Sequence, residues 1–412
     1  MLHDMVPGTE ELLSKKNVKG YIGFDPTSDS LGVGNMVQIM SLMHFQRAGH
    51  RPVALVGGAT GQVGDPSGKS AERNLLSLEQ LHHNLECQKK QLENFLDFGG
   101  NNGAIMVNNL DWFSEMKLLD FIRDIGKHLT INYMMAKDSV QNRLENGMSF
   151  TEFTYQLIQG YDFYYLWKNH GVQLQMGGSD QWGNMLTGTE LIRRKAGGEA
   201  FAITTPLIKK ADGTKFGKTE SGNVFLDASK TSAYKFYQFW INAADEDAGN
   251  FIRIFSLLDK EEIEAIEKAH AESPHQRLLQ KTIATEVTER VHGKDHLIKA
   301  QNASEILFGK ATAEALSELS EREIEEVFEG VPAFEISRDK LGGGLDPISL
   351  LAEETSVFPS KGEARRSLQE NALSINKSKI DLESRLNTSN LLQHKYLLVQ
   401  KGKKNYYLIK AI

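Results

Sequence analysis

Two lysines stand three residues apart in Asp-Gly-Thr-Lys-Phe-Gly-Lys-Thr (212–219), with glycines and a hydroxyl around them. In a mobile loop, Lys215 and Lys218 would stabilise negative charge building on a leaving pyrophosphate, a task for positioned cations rather than a covalent nucleophile. The order is not that of a Walker loop, and taken alone the pair equally suits a solvent-facing basic loop. A second constellation lies in Thr-Glu-Phe-Thr-Tyr-Gln-Leu-Ile-Gln-Gly-Tyr-Asp-Phe (151–163). Tyr155, Gln159 and Asp162 fall at i, i+4 and i+7, one polar stripe on an otherwise apolar helix. An aspartate among aromatic neighbours suits a pocket that accepts a hydrogen bond from a neutral ligand group. A third is Gln-Met-Gly-Gly-Ser-Asp-Gln-Trp-Gly-Asn (175–184), a strand end followed by small polar residues. A fourth, Gly-Asp-Pro-Ser-Gly-Lys (64–69) with Arg73, sets a carboxylate beside two cations. Each alone also fits ordinary turn chemistry; together, at one sheet edge, they describe a site for a nucleotide and a small amino-bearing ligand.

The elements that must bring these groups together are legible around residues 19–35. Gly20 to Phe24 reads as a buried strand, Asp25 to Ser30 as a turn-rich loop, and the stripe Met36, Ile39, Met40, Met43 as a helix that Gly49 stops. Gly32 and Gly34 keep the first helical turn free of bulk, so that a phosphate can meet its N–H groups. Residues 51–61, an apolar run ending in glycines, read as the next strand of a parallel sheet, joined by a right-handed crossover. Ligands of such sheets lie beyond the carboxyl ends of the strands. Helices at 76–96, 116–126 and 150–167 and strands at 104–107 and 172–176 extend the pattern, a doubly wound α/β domain over 1–230.

The 412 residues are 40% hydrophobic and 25% charged, an ordinary globular composition with room for two or three domains. The absence of a long apolar run or a basic-then-apolar leader predicts a cytoplasmic protein. Cys87, the only cysteine, excludes an internal disulfide and a cysteine-based zinc cage. A helical domain is expected over 231–335, where glycine is scarce, then a glycine-rich linker over 336–346. Residues 347–412 form a small basic module: 346–412 hold 11 Lys and Arg against 7 Asp and Glu, while the whole chain carries a net charge of −7. Lys361, Arg365 and Arg366 at a helix start, and Lys401, Lys403 and Lys404 on a hairpin strand, are the candidate RNA contacts.

These motifs resemble those of the bacterial tyrosyl-tRNA synthetases, a class I aminoacyl-tRNA synthetase family, over nearly the whole chain. Lys215-Phe216-Gly217-Lys218-Thr219 resembles the family's "KMSKS" loop, and Gly32-Val33-Gly34-Asn35 falls where its "HIGH" signature belongs. The resemblance implies a Rossmann-like catalytic domain with an inserted dimerisation segment, a helical anticodon-binding domain and a C-terminal S4-like α+β domain. It implies activation of L-tyrosine by ATP with Mg²⁺, transfer to tRNA(Tyr), a homodimer, and no protein-bound metal. Tyr21 and Asp162 would hydrogen-bond the substrate phenol. Tyr155, Asp65 and Gln159 would hold its ammonium group, supported by Asn109, with Gln181 near the carboxylate. Gly178 and Asp180 would meet the ribose, Asp25 the adenylate, and Thr27 the γ-phosphate. Gly32, Gly34 and Asn35 would line the nucleotide, and Lys69, Arg73, Lys215, Lys218 and Thr219 the pyrophosphate. The segment 126–135 and Phe150 would form the dimer interface, and the family often carries a longer segment before the first strand.

Two signature positions depart from the family: glycine replaces the first histidine at 32, and asparagine the last at 35. The Asn35 amide can still donate a hydrogen bond, whereas Gly32 has no side chain to offer. The Gly32 departure predicts slower adenylation with little change in tyrosine affinity. It also favours a rival, a non-catalytic relative that binds RNA, although the tyrosine pocket and the four cations would then have no task. A nucleotidyltransferase making a small-molecule adenylate would share the sheet-edge site and leave the C-terminal residues unexplained.

Overall fold

The computed structural model describes every residue except Met1, Lys16, 66–75, 138–139, 142–146, 220–221, 309–312, Gly330 and 403–404, and describes Thr219, 306–308 and Ala315 by their backbone alone. Two compact units divide the chain: residues 1–230 with 243–279, and residues 231–242 with 280–412. Among the described residues, no helix is long and apolar enough to cross a membrane.

The first unit is built on a six-stranded sheet of β1 (Asp4–Met5), β2 (Lys19–Phe24), β3 (Arg51–Val56), β4 (Ile105–Asn108), β5 (Leu174–Gly178) and β6 (Phe201–Thr205). The order is β1-β6-β5-β2-β3-β4, parallel except for β1. β3 is buried along nearly its whole length, as its continuous apolar run requires when both faces are covered. Helix α1 (Val33–Arg47) buries Met36, Ile39 and Met40 and also Leu42 and Phe45, whose ring lies against Gly20 of β2. Helix α2 (Leu78–Glu93), helix α3 (Phe150–His170), started by a Ser149–Glu152 capping box, and helix α4 (Trp182–Ala196) complete the elements that carry the site. A core of Tyr21, Val53, Leu55, Trp112, Phe163, Leu166 and Leu191 lies between sheet and helices.

The expected helical domain at 231–335 is divided between the units. Residues 243–279 join the first because Phe251 and Phe255 pack on Phe216, with ring centroids 5.0 and 5.5 Å apart. In the second unit, the helix Glu321–Val327 is tied to the following sheet, where Lys395 pairs with Glu321 at 2.6 Å and the Tyr396 hydroxyl donates to Glu325.

Residues 336–346, expected as a linker, are part of that unit's packed body. After a two-stranded hairpin in the first unit, β7 (Lys218–Thr219) with β8 (Gly222–Asn223), the second sheet comprises β9 (Ala333–Ile336), β10 (Leu373–Ile375), β11 (Ser378–Lys379), β12 (Tyr396–Lys401) and β13 (Asn405–Ala411). Ile336 ends β9, which runs parallel to β13, and Leu341 is fully buried in the core. The glycine run does not loosen the chain. Gly344, at φ +81°, turns it so that Leu345 exchanges two backbone hydrogen bonds with Leu386, at 2.8 and 2.9 Å.

Candidate active site

Strands β2, β3 and β5 all point their carboxyl ends at one edge of the first sheet, and the chemistry-bearing side chains gather there. Asp25, the first residue beyond β2, accepts hydrogen bonds from the Thr60 hydroxyl at 2.7 Å and the Tyr155 hydroxyl at 2.8 Å. Gly57 permits this approach: a Cβ there would lie 2.2 Å from Asp25 Oδ1 and 2.3 Å from Thr60 Oγ1. Thr60 accepts from the Asn109 amide at 3.0 Å, and the same amide nitrogen donates to Asp162 Oδ2 at 3.0 Å. The indole of Trp112 donates to the other oxygen of Asp162 at 2.9 Å. A continuous hydrogen-bonded chain therefore runs Tyr155–Asp25–Thr60–Asn109–Asp162–Trp112.

Asp162 is fully buried, and burial pushes its carboxyl up to about 8. The Asn109 and Trp112 donors oppose that shift, and the charge of Asp25 adds to it. The Tyr21 hydroxyl, on β2, is buried without a partner, and its pKa is held well above the usual tyrosine value by burial and by Asp162. Asn109, expected to support the amino pocket, is bonded instead to Asp162, the phenol acceptor in the sequence reading. Trp112 was missed because an indole in Asn-Asn-Leu-Asp-Trp reads as core.

A second chain lies beside the first. The Gln159 amide donates to Gln181 Oε1 at 3.3 Å, and Gln181 donates to Asp65 at 2.7 Å. Asp65, Gln159 and Gln181 are thus together, while the Tyr155 hydroxyl engages Asp25 rather than Asp65. Asp180 follows Gly178 at the end of β5, and burial, then the nearby Asp65, raises its carboxyl.

At the start of α1, Gly32 is extended (φ −101°, ψ 171°) and its N–H donates to Asn35 Oδ1 at 3.0 Å. Asn35 thus spends its oxygen on the helix terminus. Thr27 is exposed, its N–H bonded to the Asp25 carbonyl at 2.8 Å. The cationic hairpin docks on this terminus: Val33 N–H donates to the Val224 carbonyl, Val224 N–H to Gly217, and Gly217 lies against Gly34, where an added Cβ would sit 3.3 Å from the Gly34 nitrogen. Lys215 and Lys218 are exposed in that hairpin. Lys69 and Arg73 lie outside the described residues.

The chain matches the family model of class I tRNA synthetases for tryptophan and tyrosine over residues 13–309, and a tyrosine–tRNA ligase C-terminal domain over 323–409. It is 60% identical to the tyrosine–tRNA ligase of Cytophaga hutchinsonii and 58% identical to that of Bacteroides fragilis, each alignment covering 100% of this chain and 97% of the relative. The chain belongs to the tyrosyl-tRNA synthetases. A solved relative, the C-terminally truncated mitochondrial tyrosyl-tRNA synthetase of Aspergillus nidulans, superposes with a TM-score of 0.67 at 31% identity, over 75% of this chain and 91% of that one. The C-terminal match starting at 323 agrees with a module that begins well before 347.

One set of positioning residues in this synthetase escaped sequence reading. Gln80, Asn84, Gln88 and Gln91 form a column of amides along α2. Gln80 donates to Asn84 at 2.8 Å, and Asn84 to the Pro26 carbonyl at 3.0 Å. Gln88 donates to the Ser28 carbonyl at 2.9 Å, and Gln91 accepts from Leu31 N–H at 2.8 Å while donating to the Ser30 hydroxyl at 3.0 Å. The column pins the loop that carries Asp25 and Thr27. Its signal was the spacing of amides at 80, 84, 88 and 91, which looks like an ordinary solvated helix face until the partner loop is known.

In the second unit, Arg365 and Arg366 are exposed on the helix Lys361–Gln369. Lys361 is ion-paired with Glu353, and Lys401 lies over the Phe358 ring, 4.3 Å from its centroid. Lys403 and Lys404 lie outside the described residues.

Proposed function

We propose that this synthetase activates L-tyrosine at the β2–β5 edge of the first sheet, with Tyr21 and Asp162 receiving the phenol. The carrying observation is the pair of buried groups at that point: an unpartnered Tyr21 hydroxyl and a fully buried Asp162 fixed by two donors. Asp65, Tyr155 and Gln159 take the ammonium group, with Gln181 near the carboxylate and Asn109 orienting Asp162. The tyrosine carboxylate attacks the α-phosphate of ATP in line, and pyrophosphate departs. Gly178 and Asp180 meet the ribose, Asp25 flanks the adenylate, and Gly32, Gly34 and Asn35 line the helix terminus facing the phosphates. Thr27, Lys69, Arg73, Lys215, Lys218 and Thr219 stabilise the charge on the departing group, with no covalent nucleophile. ATP brings Mg²⁺ with it. Tyrosine then passes to the 3′ end of tRNA(Tyr), whose body is held by the basic C-terminal module, residues 347–412, through Arg365, Arg366 and the lysines around them. The reaction takes place in the cytoplasm.

The test is tyrosine-dependent exchange of labelled pyrophosphate into ATP without tRNA. Exchange with tyrosine and not with phenylalanine or tryptophan is the expected result; none from a folded protein that still binds tyrosine would defeat the adenylation mechanism. In the same assay, Gly32→His is expected to raise the exchange kcat roughly 10- to 100-fold without moving the KM for tyrosine. The backbone there is extended, as any residue can be, and an added Cβ would press on the Val224 carbonyl at 3.2 Å, so the hairpin must yield by a few tenths of an ångström to admit the imidazole.

We also propose a homodimer through the face bearing Leu118, Leu119, Ile122, Ile131 and Phe150, which are 72%, 76%, 55%, 63% and 81% exposed. So many exposed large apolar side chains in one inserted segment suit burial against a second copy. Phe150→Asp with Leu119→Asp is expected to shift sedimentation from dimer to monomer; an unchanged dimer would place the interface elsewhere.

A further inference from the structure

Asp247 is 7% exposed, a buried carboxylate to which the reaction assigns no task. Aspartate is seldom buried unless it is paired. Here its Oδ1 accepts the Ala211 N–H at 2.8 Å. Asp247 stands on the helix Asp245–Phe255, and with Phe251 and Phe255 it falls at i, i+4 and i+8, a single stripe along one face. Phe251 and Phe255 are the two rings that receive Phe216. One helix face thus holds the chain at Ala211 and again at Phe216, on either side of Lys215 and just ahead of Lys218.

The residues between the two anchors form a closed turn. Gly213 N–H donates to the Lys210 carbonyl at 2.8 Å, and Lys210 N–H donates to the Thr214 carbonyl at 3.2 Å. Asp212 accepts from the N–H and the hydroxyl of Thr214, at 2.8 and 2.6 Å. A turn closed on itself moves as a body, so fixing Ala211 and Phe216 fixes the backbone of Lys215. The helix is itself fastened beside α1: the two pack together, and Arg47 of α1 donates to the Leu257 carbonyl at 2.5 Å. The other root of the hairpin is held separately. There Leu226 N–H donates to the Leu31 carbonyl at 2.8 Å, and Lys230 pairs with Asp29 at 2.6 Å.

We propose that Asp247 is a positioning residue for tyrosine activation: with Phe251 and Phe255 it holds the cationic loop in the docked arrangement from which Lys215 and Lys218 act. It works through the loop rather than on either substrate. A hydrogen bond to a buried carboxylate secures one anchor, and ring packing secures the other. Lys215 and Lys218 are exposed, so the anchors rather than any packing of the lysines decide where the cations stand. Loosening an anchor lowers the fraction of molecules with the loop docked. Activation falls with that fraction, while tyrosine binding stays as it is. This rests on the reading that Lys215 and Lys218 stabilise the departing pyrophosphate.

The experiment measures exchange kcat, tyrosine binding by equilibrium dialysis, and the rate of tryptic cleavage after Lys210, Lys215 and Lys218. It uses the full chain with Asp247→Ala, Asp247→Asn, Phe216→Ala and, in parallel, Lys218→Ala. Asp247→Ala is expected to lower kcat about tenfold and to speed cleavage of the loop about as much, with the tyrosine Kd unmoved. Asp247→Asn keeps an oxygen that accepts the Ala211 N–H, and its kcat is expected to exceed that of Asp247→Ala. An unchanged kcat or cleavage rate in Asp247→Ala, no recovery in Asp247→Asn, or a tyrosine Kd that rises as kcat falls overturns the proposal. If Asp247→Ala does not fold, Phe216→Ala decides from the loop side: a lower kcat with faster cleavage supports the proposal, and either one unchanged overturns it. A loss in Lys218→Ala without one in Asp247→Ala rejects only the positioning role, whereas an unchanged kcat in Lys218→Ala rejects the part of the cationic loop in the reaction.

Discussion

Asp162→Asn is expected to weaken tyrosine binding by roughly 100-fold while leaving phenylalanine binding within a few-fold of the parent. A carboxyl group that accepts from Asn109 on one oxygen and from Trp112 on the other is replaced by an amide whose nitrogen must confront one of those two donors. Leaving a buried hydrogen-bonding group unpaired costs about 1–3 kcal/mol, and the opposed donors add to it. Equilibrium dialysis with labelled tyrosine and phenylalanine reads the difference; equal losses for both would mean that Asp162 supports packing rather than the phenol. The same substitution carries a signature in pH. Burial raises the Asp162 carboxyl to about 8 in the folded protein, above its value in the unfolded chain. The folded state therefore keeps a proton that the unfolded state sheds. The stability this confers is complete below the unfolded pKa and falls as pH rises toward 8, by about 1.4 kcal/mol per pH unit. Thermal melts at pH 6 and pH 8 should show a smaller fall for Asp162→Asn than for the parent.

Lys218→Ala should lower the kcat of tyrosine activation by about 10²–10³, with the KM for tyrosine nearly unmoved. The hairpin carrying Lys218 docks on the α1 N-terminus through Val224 and Gly217, and in the proposed reaction that terminus faces the phosphates of ATP. A preorganised charge aimed at a developing one acts on the transition state, and removing such a group has an effect of this size. Because the lysine touches no part of the tyrosine pocket, the loss belongs to kcat. Exchange kinetics at saturating tyrosine decide: a change confined to KM for tyrosine would contradict the assignment.

The ends of the parallel strands and the polar stripe of α3 were legible because they rest on local periodicity. Tyr155, Gln159 and Asp162 share a face at any orientation of their helix, so spacing alone could nominate them. The bond from Tyr155 to Asp25 was not legible: it spans 130 residues and depends on a glycine at 57 that only the folded geometry explains. The amide column on α2 failed for a related reason, since glutamine is as common on a solvated face as against a loop. The residues 336–346 misled because glycine signals both freedom and tight turning. Only the bonds between Leu345 and Leu386 distinguish the two. The helices at 243–279 carry the same periodicity as those after them, and their allegiance is set by Phe216, a residue in a different motif.

The chain of bonds from Tyr155 to Trp112 has a direction imposed from the backbone. The Ala59 N–H donates to Asn109 Oδ1 at 2.7 Å, which forces the Asn109 nitrogen toward Thr60 and Asp162. Thr60 must then give its one proton to Asp25, and no member can reverse without its neighbours. Evolution along this chain is consequently epistatic. An Asn109→Asp change, one atom different in outline, removes the donor that Thr60 and Asp162 both accept from, so its effect depends on what stands at those two positions.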